Sequence, residues 1–352
     1  MSIGVKIGDR VIGGGAKVYI AFEIGATITS AQSAMTLLDI AADAGAEAIK
    51  VQILNADRLV GDPAITVTYT IASGEIIEEP MRDILRRRAL SNAEWHAFGE
   101  AARKRGLDVI ATVDFLESID IAVERAGANA LKVASGDVNN LAWIREVAAV
   151  GLPVMLDTGH AGMNEIIEAA FGAHALGGVV LHHVPGGYPA RLASVNLRVI
   201  STLRHMFPGI PIGFSDHSPG ATMDIAAVAL GADMIEKTLT LDRRQRSPEH
   251  TMSLEPSEAA DFVRTIREVE QGLGAPLRVV SEQEHNAKRK ARRSAYLRED
   301  ALVGDLMIPP RIEWRRPGGG IEPPEIVNRP CFSRFGLPAG HRLNWGDVEI
   351  VR

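Results

Sequence analysis

Residues 130–160 read ALKVASGDVNNLAWIREVAAVGLPVMLDTGH. ALKVAS is a short, β-rich apolar run, and Asn140 is a capping type that opens a helical pattern over Leu141–Val150. Gly151 then marks the helix stop, and PVMLDT begins a second apolar run. This unit of strand, helix and strand repeats on both sides. Further runs predict strands at Lys17–Ile24, Ala46–Leu54, Leu107–Asp114, Gly178–Val184, Ile210–Ser215 and Ala232–Thr240. Near-continuous apolar runs suit strands buried on both faces of a parallel sheet. Helical patterns lie between them at Ser30–Gly45, Asn92–Arg105, Ile119–Ala126, Asn164–Leu176, Ser194–Met206 and Ala221–Leu230. Eight such units over about 270 residues predict an α/β fold, a (β/α)8 TIM barrel. The competing doubly wound sheet would carry a G-x-G-x-x-G turn after its first strand, which is absent.

The rest of the chain departs from this pattern. Asn55–Leu90 is a long connection after the second strand, and long βα loops tend to carry function. A last helix is predicted over Glu255–Leu273, followed by the basic run AKRKARRSAYLRED. Residues 1–280 hold 25 Lys and Arg against 34 Asp and Glu, whereas residues 281–352 hold 13 against 10. Seven of the 18 prolines fall in residues 306–340. The split predicts a barrel over residues 1–280 and a small β-rich domain over 281–352. Short pieces at Trp314–Gly320, Pro323–Pro324 and Gly346–Val351 fit that domain.

Composition sets the class. The chain of 352 residues is 46% apolar and 23% charged, as a globular protein is. No apolar run approaches the ~18 residues that span a bilayer, and no secretion signal is evident over Met1–Gly15. A single cysteine, Cys331, excludes an internal disulfide framework and fits a cytoplasmic location. The net charge of −6 gives no global signature for nucleic acid. The run Lys288–Arg293 reads as a solvated linker.

Chemistry in such a barrel sits at the C-terminal ends of the strands. Polar residues gather there: Glu23, Lys50, Gln52, Thr112, Asp114, Lys132, Ser135, Asp137, Thr158, His182, His183, Ser215, His217, Glu236, Lys237 and Thr238. Lysines within strands are costly unless paired with anions. Lys50 and Lys132 fall at inward positions, where they would hold a phosphate and a carboxylate, or else pair with Glu23 and Glu236. His182 reads as a core residue and His183 as facing the opposite side. His96, His174 and His205 read as surface residues on helices. No G-x-S-x-G elbow supports a serine nucleophile.

In chain order the motifs are FEIG, KVQ, KVASGD, DTG, LHHVPGGYP, GFSDHSPG, IEKTLTLD, SPEHTMSL, RRS and RPGGGI. This set resembles the sialic acid synthase family, which includes N-acetylneuraminate, legionaminate and pseudaminate synthases and the spore-coat polysaccharide protein E group. The resemblance covers nearly the whole chain. It implies a TIM barrel followed by an antifreeze-like (SAF) domain that caps the barrel of a partner in a domain-swapped homodimer. The reaction implied is condensation of phosphoenolpyruvate with an open-chain N-acylated hexosamine, giving a nonulosonic 2-keto-3-deoxy acid and phosphate. Lys50, Lys132 and Ser135 match the phosphoenolpyruvate-binding positions, with the strand-end hydroxyls of Thr158 and Ser215 beside them. Glu23, Gln52, Asp137 and Tyr188 match positions around the sugar and the reacting centre, with Glu23, Asp137 and His217 as the catalytic set. Arg316 matches the tail arginine that reaches the partner's sugar.

His217 also matches one of two histidines that hold a divalent metal, Mn2+ or Mg2+. The family's E[KR]H motif reads Glu236-Lys237-Thr238 here, so Thr238 stands where the second histidine belongs. Thr27 and Ile28 likewise replace an Asn-His pair, and Val113-Asp114 follows Thr112 where the family has Pro-Phe. His183 is a candidate replacement ligand for His217, and His250 in SPEH is a second. These departures leave three readings open: a nonulosonate synthase of unusual type, an aldolase or lyase on the same barrel, and a non-catalytic sugar- or phosphate-binding homologue.

Overall fold

The computed structural model of the chain describes residues 3–174, 178–327 and 329–350. It divides into two compact units between Gly274 and Ala275. In the first, eight parallel strands close into a barrel in sequence order. They are β1 (Tyr19–Glu23), β2 (Ala48–Ile53), β3 (Asp108–Val113), β4 (Ala130–Val133), β5 (Val154–Asp157), β6 (Val179–His183), β7 (Ile212–Asp216) and β8 (Met234–Thr238). Each of the eight predicted strands is present. Helices follow them: α1 (Ala31–Asp43), α2 (Asn92–Lys104), α3 (Leu116–Glu124), α4 (Leu141–Ala149), α5 (Met163–His174), α6 (Arg198–Met206), α7 (Thr222–Ala229) and α8 (Pro256–Leu273).

Local chemistry accounts for several helix starts. Ser30 and Ser91 form capping boxes with Ser33 and Glu94, and Asn140 accepts from the Trp143 N–H. Ser194 caps nothing, because α6 starts after Leu197 without a side-chain cap. The predicted end of α5, together with Gly177 and the His174 side chain, lies outside the described residues. His96 and His205 are exposed, as expected.

Strand residues alternate between two cores. Outward side chains such as Ile20, Phe22, Ile49, Val51, Leu131 and Phe214 pack beneath the helices. Inward side chains at the N-terminal end form an apolar plug: Tyr19, Ala21, Ala48, Ile110, Ala130, Met155, Val180 and Met234. An N-terminal hairpin, Val5–Ile7 paired with Arg10–Ile12, buries Val5, Ile7 and Ile12 against that plug. The loop after β2 holds another hairpin, Thr66–Thr70 paired with Ile76–Pro80. It covers its own small cluster of Tyr69, Ile71, Ile77 and Ile84.

The second unit contains two antiparallel pairs, Ser294–Leu297 with Ile312–Arg315 and Cys331–Ser333 with Val348–Ile350. Its core includes Ala295, Leu297, Ile312, Ile321, Leu343 and the buried Cys331. The last residue of the predicted Gly346–Val351 piece lies outside the described residues. The basic run is not a linker. Lys288–Lys290 lie in the exposed helix Glu282–Ala291, which is tied to the tail by Gly318 N–H donating to Arg289 O and by an Arg292–Glu322 ion pair. The division therefore falls ahead of Ser281 rather than at it.

Candidate active site

The inward positions change character toward the C-terminal ends of the strands. Above the apolar plug come Glu23, Lys50, Gln52, Thr112, Lys132, Asp157, Ser215, Glu236 and Thr238, all lining one cavity of about 300 Å3. Period-two alternation produces this layer. Tyr19, Ala21 and Glu23 share one face of β1; Ala48, Lys50 and Gln52 share one face of β2.

Each lysine is held by carboxylates. Lys50 pairs with Glu23, and both are buried. Lys132 is 2% exposed, donates to Glu236 Oε1 at 2.6 Å and lies 3.0 Å from Asp157 Oδ1. Ser215 Oγ donates to the same Glu236 oxygen at 2.9 Å. His182 is inward and fully buried, with Nδ1 3.2 Å from Asp157 Oδ1, and neither ring nitrogen makes an aligned hydrogen bond. It is therefore not the satisfied core residue that the sequence suggested. Gly213 makes room for it, because a Cβ there would lie 2.4 Å from His182 Cδ2.

The carboxyls divide in acidity. Burial, reinforced by Glu236, raises Glu23 above the usual range despite Lys50. Burial also works to raise Glu236, but Lys132 and Lys50 outweigh it and hold that carboxylate far below its usual value. Asp157 is likewise held low by Lys132 against the effect of burial. One carboxyl poised to carry a proton thus sits opposite two that stay ionised, the pattern of an acid–base site. Burial lowers His217, so its ring is neutral at pH 7. Its Nδ1 lies 3.1 Å from Pro185 O and donates there, which leaves Nε2 as the free lone pair. Its ring packs on Tyr188 with centroids 4.6 Å apart.

The cavity brings together most of the residues picked out by sequence: Glu23, Lys50, Gln52, Lys132, Ser135, Tyr188, Ser215 and His217. Others lie elsewhere within the barrel unit. Thr158 is on the wrong parity; its hydroxyl donates to His182 O at 2.8 Å, and Asp157 takes the inward position instead. Asp137 ends a short 3-10 turn, half-buried and outside the cavity lining. His183 faces the helix layer, with Nε2 2.6 Å from Val195 O and its ring stacked on Phe214. It does not pair with His217, because neighbouring residues of a strand face opposite ways. His250 is buried against Thr240 Oγ1 at 2.7 Å, away from the cavity. Arg316 lies in the second unit, where its Nε donates to Ala291 O. Lys237 points outward into a buried cluster with Asp216 and Asp224.

The sequence reading placed Asp114 at the end of the third strand without assigning it a role and passed over His160 and Glu249; all three line the cavity. Glu249 is anchored by Arg88 at 2.6 Å. Parity along β5, counted from Met155, would have found Asp157.

The donor set does not match a metal centre. Among the described residues no group of three or more His, Cys, Asp and Glu side chains converges as ligands. His217 is the one histidine of the expected set in the cavity, together with the hydroxyl of Thr238, a poor substitute for an imidazole on Mn2+.

Known proteins share this architecture. A family profile described as the NeuB family matches residues 37–277. An uncharacterised protein of Methanocaldococcus jannaschii is 32% identical over 321 residues, covering 90% of each chain. The N,N'-diacetyllegionaminic acid synthase of Legionella pneumophila is 31% identical over 326 residues, again 90% of each chain. The solved structure of an N-acetylneuraminic acid synthetase from Leptospira borgpetersenii, in complex with citrate, superimposes with a TM-score of 0.72 at 28% identity. It covers 82% of this chain and 95% of that one.

Proposed function

The chain belongs to the NeuB family of phosphoenolpyruvate-condensing synthases, and we propose that its barrel joins phosphoenolpyruvate to the open-chain form of an N-acylated amino sugar. The observation that carries this reading is the lysine layer. Lys50 and Lys132 are buried in one cavity, each held by carboxylates that line the same space. Phosphate and carboxylate groups of the substrate would replace those partners, with Ser135 and Ser215 hydroxyls as further donors.

The chemistry follows from the acidities. C3 of phosphoenolpyruvate attacks the aldehyde carbon, and the electron pair moves onto the aldehyde oxygen. Glu23, raised by burial, supplies the proton to that oxygen. Water then adds at C2 and loses a proton to the neutral His217. The tetrahedral centre collapses: the C2 hydroxyl proton passes to the departing phosphate as C2=O forms and the C2–O bond to phosphate breaks. Synthases of this family generally depend on a divalent metal; this chain's donors do not fit one, so the lysines and His217 carry the charge stabilisation here.

Lys50 and Lys132 are the lysines of the cavity lining, which holds no arginine among the described residues; Arg88, bound to Glu249, stands behind that wall. Anionic substrates would therefore gain from an added positive charge. This supports the proposal that Arg316 arrives from the tail domain of a partner subunit in a homodimer.

Phosphate release from phosphoenolpyruvate, assayed with and without Mn2+ across a panel of N-acyl hexosamines, tests the reading. Release with at least one sugar is expected. Tight phosphoenolpyruvate binding without release would favour a binding protein instead.

A further inference from the structure

One carboxylate of the cavity lacks a counter-charge. Glu23 faces Lys50, Asp157 and Glu236 face Lys132, and Glu249 faces Arg88. Asp114, just beyond the end of β3, makes no side-chain hydrogen bond or ion pair among the described residues; its backbone N–H donates to Ser118 Oγ at 3.0 Å. The charges acting on it are Asp137, which repels it, and Lys50, which contacts Glu23 and is the proposed seat of a phosphoenolpyruvate anion. Two residues earlier, Thr112 is 6% exposed and lines the same cavity, and its hydroxyl is buried without a partner. Gln52, in register with Thr112 on β2, completes this wall.

An orphan hydroxyl beside an uncompensated carboxylate is costly unless a ligand satisfies both. An acetamido group could accept from the Thr112 hydroxyl and offer Asp114 one N–H, but it brings no positive charge and leaves the carboxylate uncompensated. An ammonium supplies three N–H donors and a positive charge.

We propose that Asp114 is a specificity-determining residue that selects an acceptor sugar keeping one amine unacylated, with Thr112 Oγ1 accepting a second hydrogen bond from that ammonium. The proposal rests on the synthase reading of the barrel. It narrows the acceptor to a partly acylated amino sugar. It also accounts for a carboxylate in a cavity that must receive anions: the second substrate brings the compensating charge.

The test is binding to the full-length protein with phosphoenolpyruvate present, measured by calorimetry at pH 7.5. The probes are three matched pairs of hexoses, free amine against N-acetyl, with nitrogen at C2, at C4 or at C6. At least one free amine is expected to bind about tenfold tighter than its acetylated partner, and Asp114→Asn to reduce that ratio below about twofold. Thr112→Val should lower it partially. Asp114→Ser gives a second reading should the Asn variant fold poorly. Equal binding within every pair, no binding by any of the six sugars, or an undiminished preference in both Asp114 variants would overturn the proposal. Because phosphate release is not the readout, loss of turnover would count against the synthase reading while leaving an amine preference intact.

Discussion

Lys132 on β4 donates to Glu236 on β8 at 2.6 Å across the lumen, joining two strands 104 residues apart. The contact closes a charge layer in which Ser215 and Asp157 share the same partners. It is both a structural pair and the seat proposed for an anion.

Removing that lysine should therefore have two effects. Lys132→Met leaves Glu236 and Asp157 buried without their cation, a class of change that costs about 3–5 kcal/mol. Denaturant unfolding should show that loss, and phosphoenolpyruvate titration should show no saturable binding. Retained stability together with full phosphoenolpyruvate affinity would refute the role of this layer.

Asp114 should be a liability to the fold. Burial, with repulsion from Asp137 and partial relief from Lys50, pushes its carboxyl up to about 6. Ionisation therefore costs the native state more than the unfolded chain. That penalty is absent below the unfolded value near ~4 and complete above about 6. Asp114→Asn should raise stability by about 1–3 kcal/mol at pH 8 and by little at pH 4. A flat difference across that range would show that the carboxylate is compensated.

Thr238 and His217 line the same cavity. Thr238→His should give a second imidazole and tighten Mn2+ binding at least tenfold, read by titration of the full-length protein. His183→Ala should leave Mn2+ binding unchanged, because that ring is committed to Val195 and Phe214. No gain in the Thr238→His protein would show that the two positions do not converge.

A chain truncated after Leu273 ends one residue short of the first compact unit's end. It should unfold cooperatively and bind phosphoenolpyruvate, yet lose affinity for the sugar if Arg316 from a partner completes the site. Unchanged sugar affinity would remove the tail from the active site.

The barrel was legible because its strands are buried on both faces, so each reads as an apolar run such as VYIAFEI. The two hairpins were not. Val5–Ile7 and Arg10–Ile12 are three residues each, too short for a periodicity signal. Their clue was the two-residue Gly8-Asp9 turn between alternating apolar positions. In the loop hairpin, Thr66–Thr70 shows mostly exposed side chains, so no core stripe marks it.

Site residues followed the same logic. Glu23, Lys50 and Lys132 announced themselves as charges inside apolar runs. Asp157 and Thr158 differ by one position and therefore by face, a distinction settled by counting from Met155 rather than by residue type. His182 and His183 separate in the same way. The missing counter-charge at Asp114 is a property of three dimensions; no spacing rule reveals which carboxylates find a cation.

The hairpin beneath Tyr19 and Met234 makes the lumen a vessel with a stopper. Among the described residues, Val5, Ile7 and Ile12 pack on the plug at that end. Whatever seats in the lysine layer must enter before any larger molecule occupies the mouth above it, and must wait for that molecule to leave. A short hairpin ahead of the first barrel strand thereby imposes an order on events at the opposite end of the barrel.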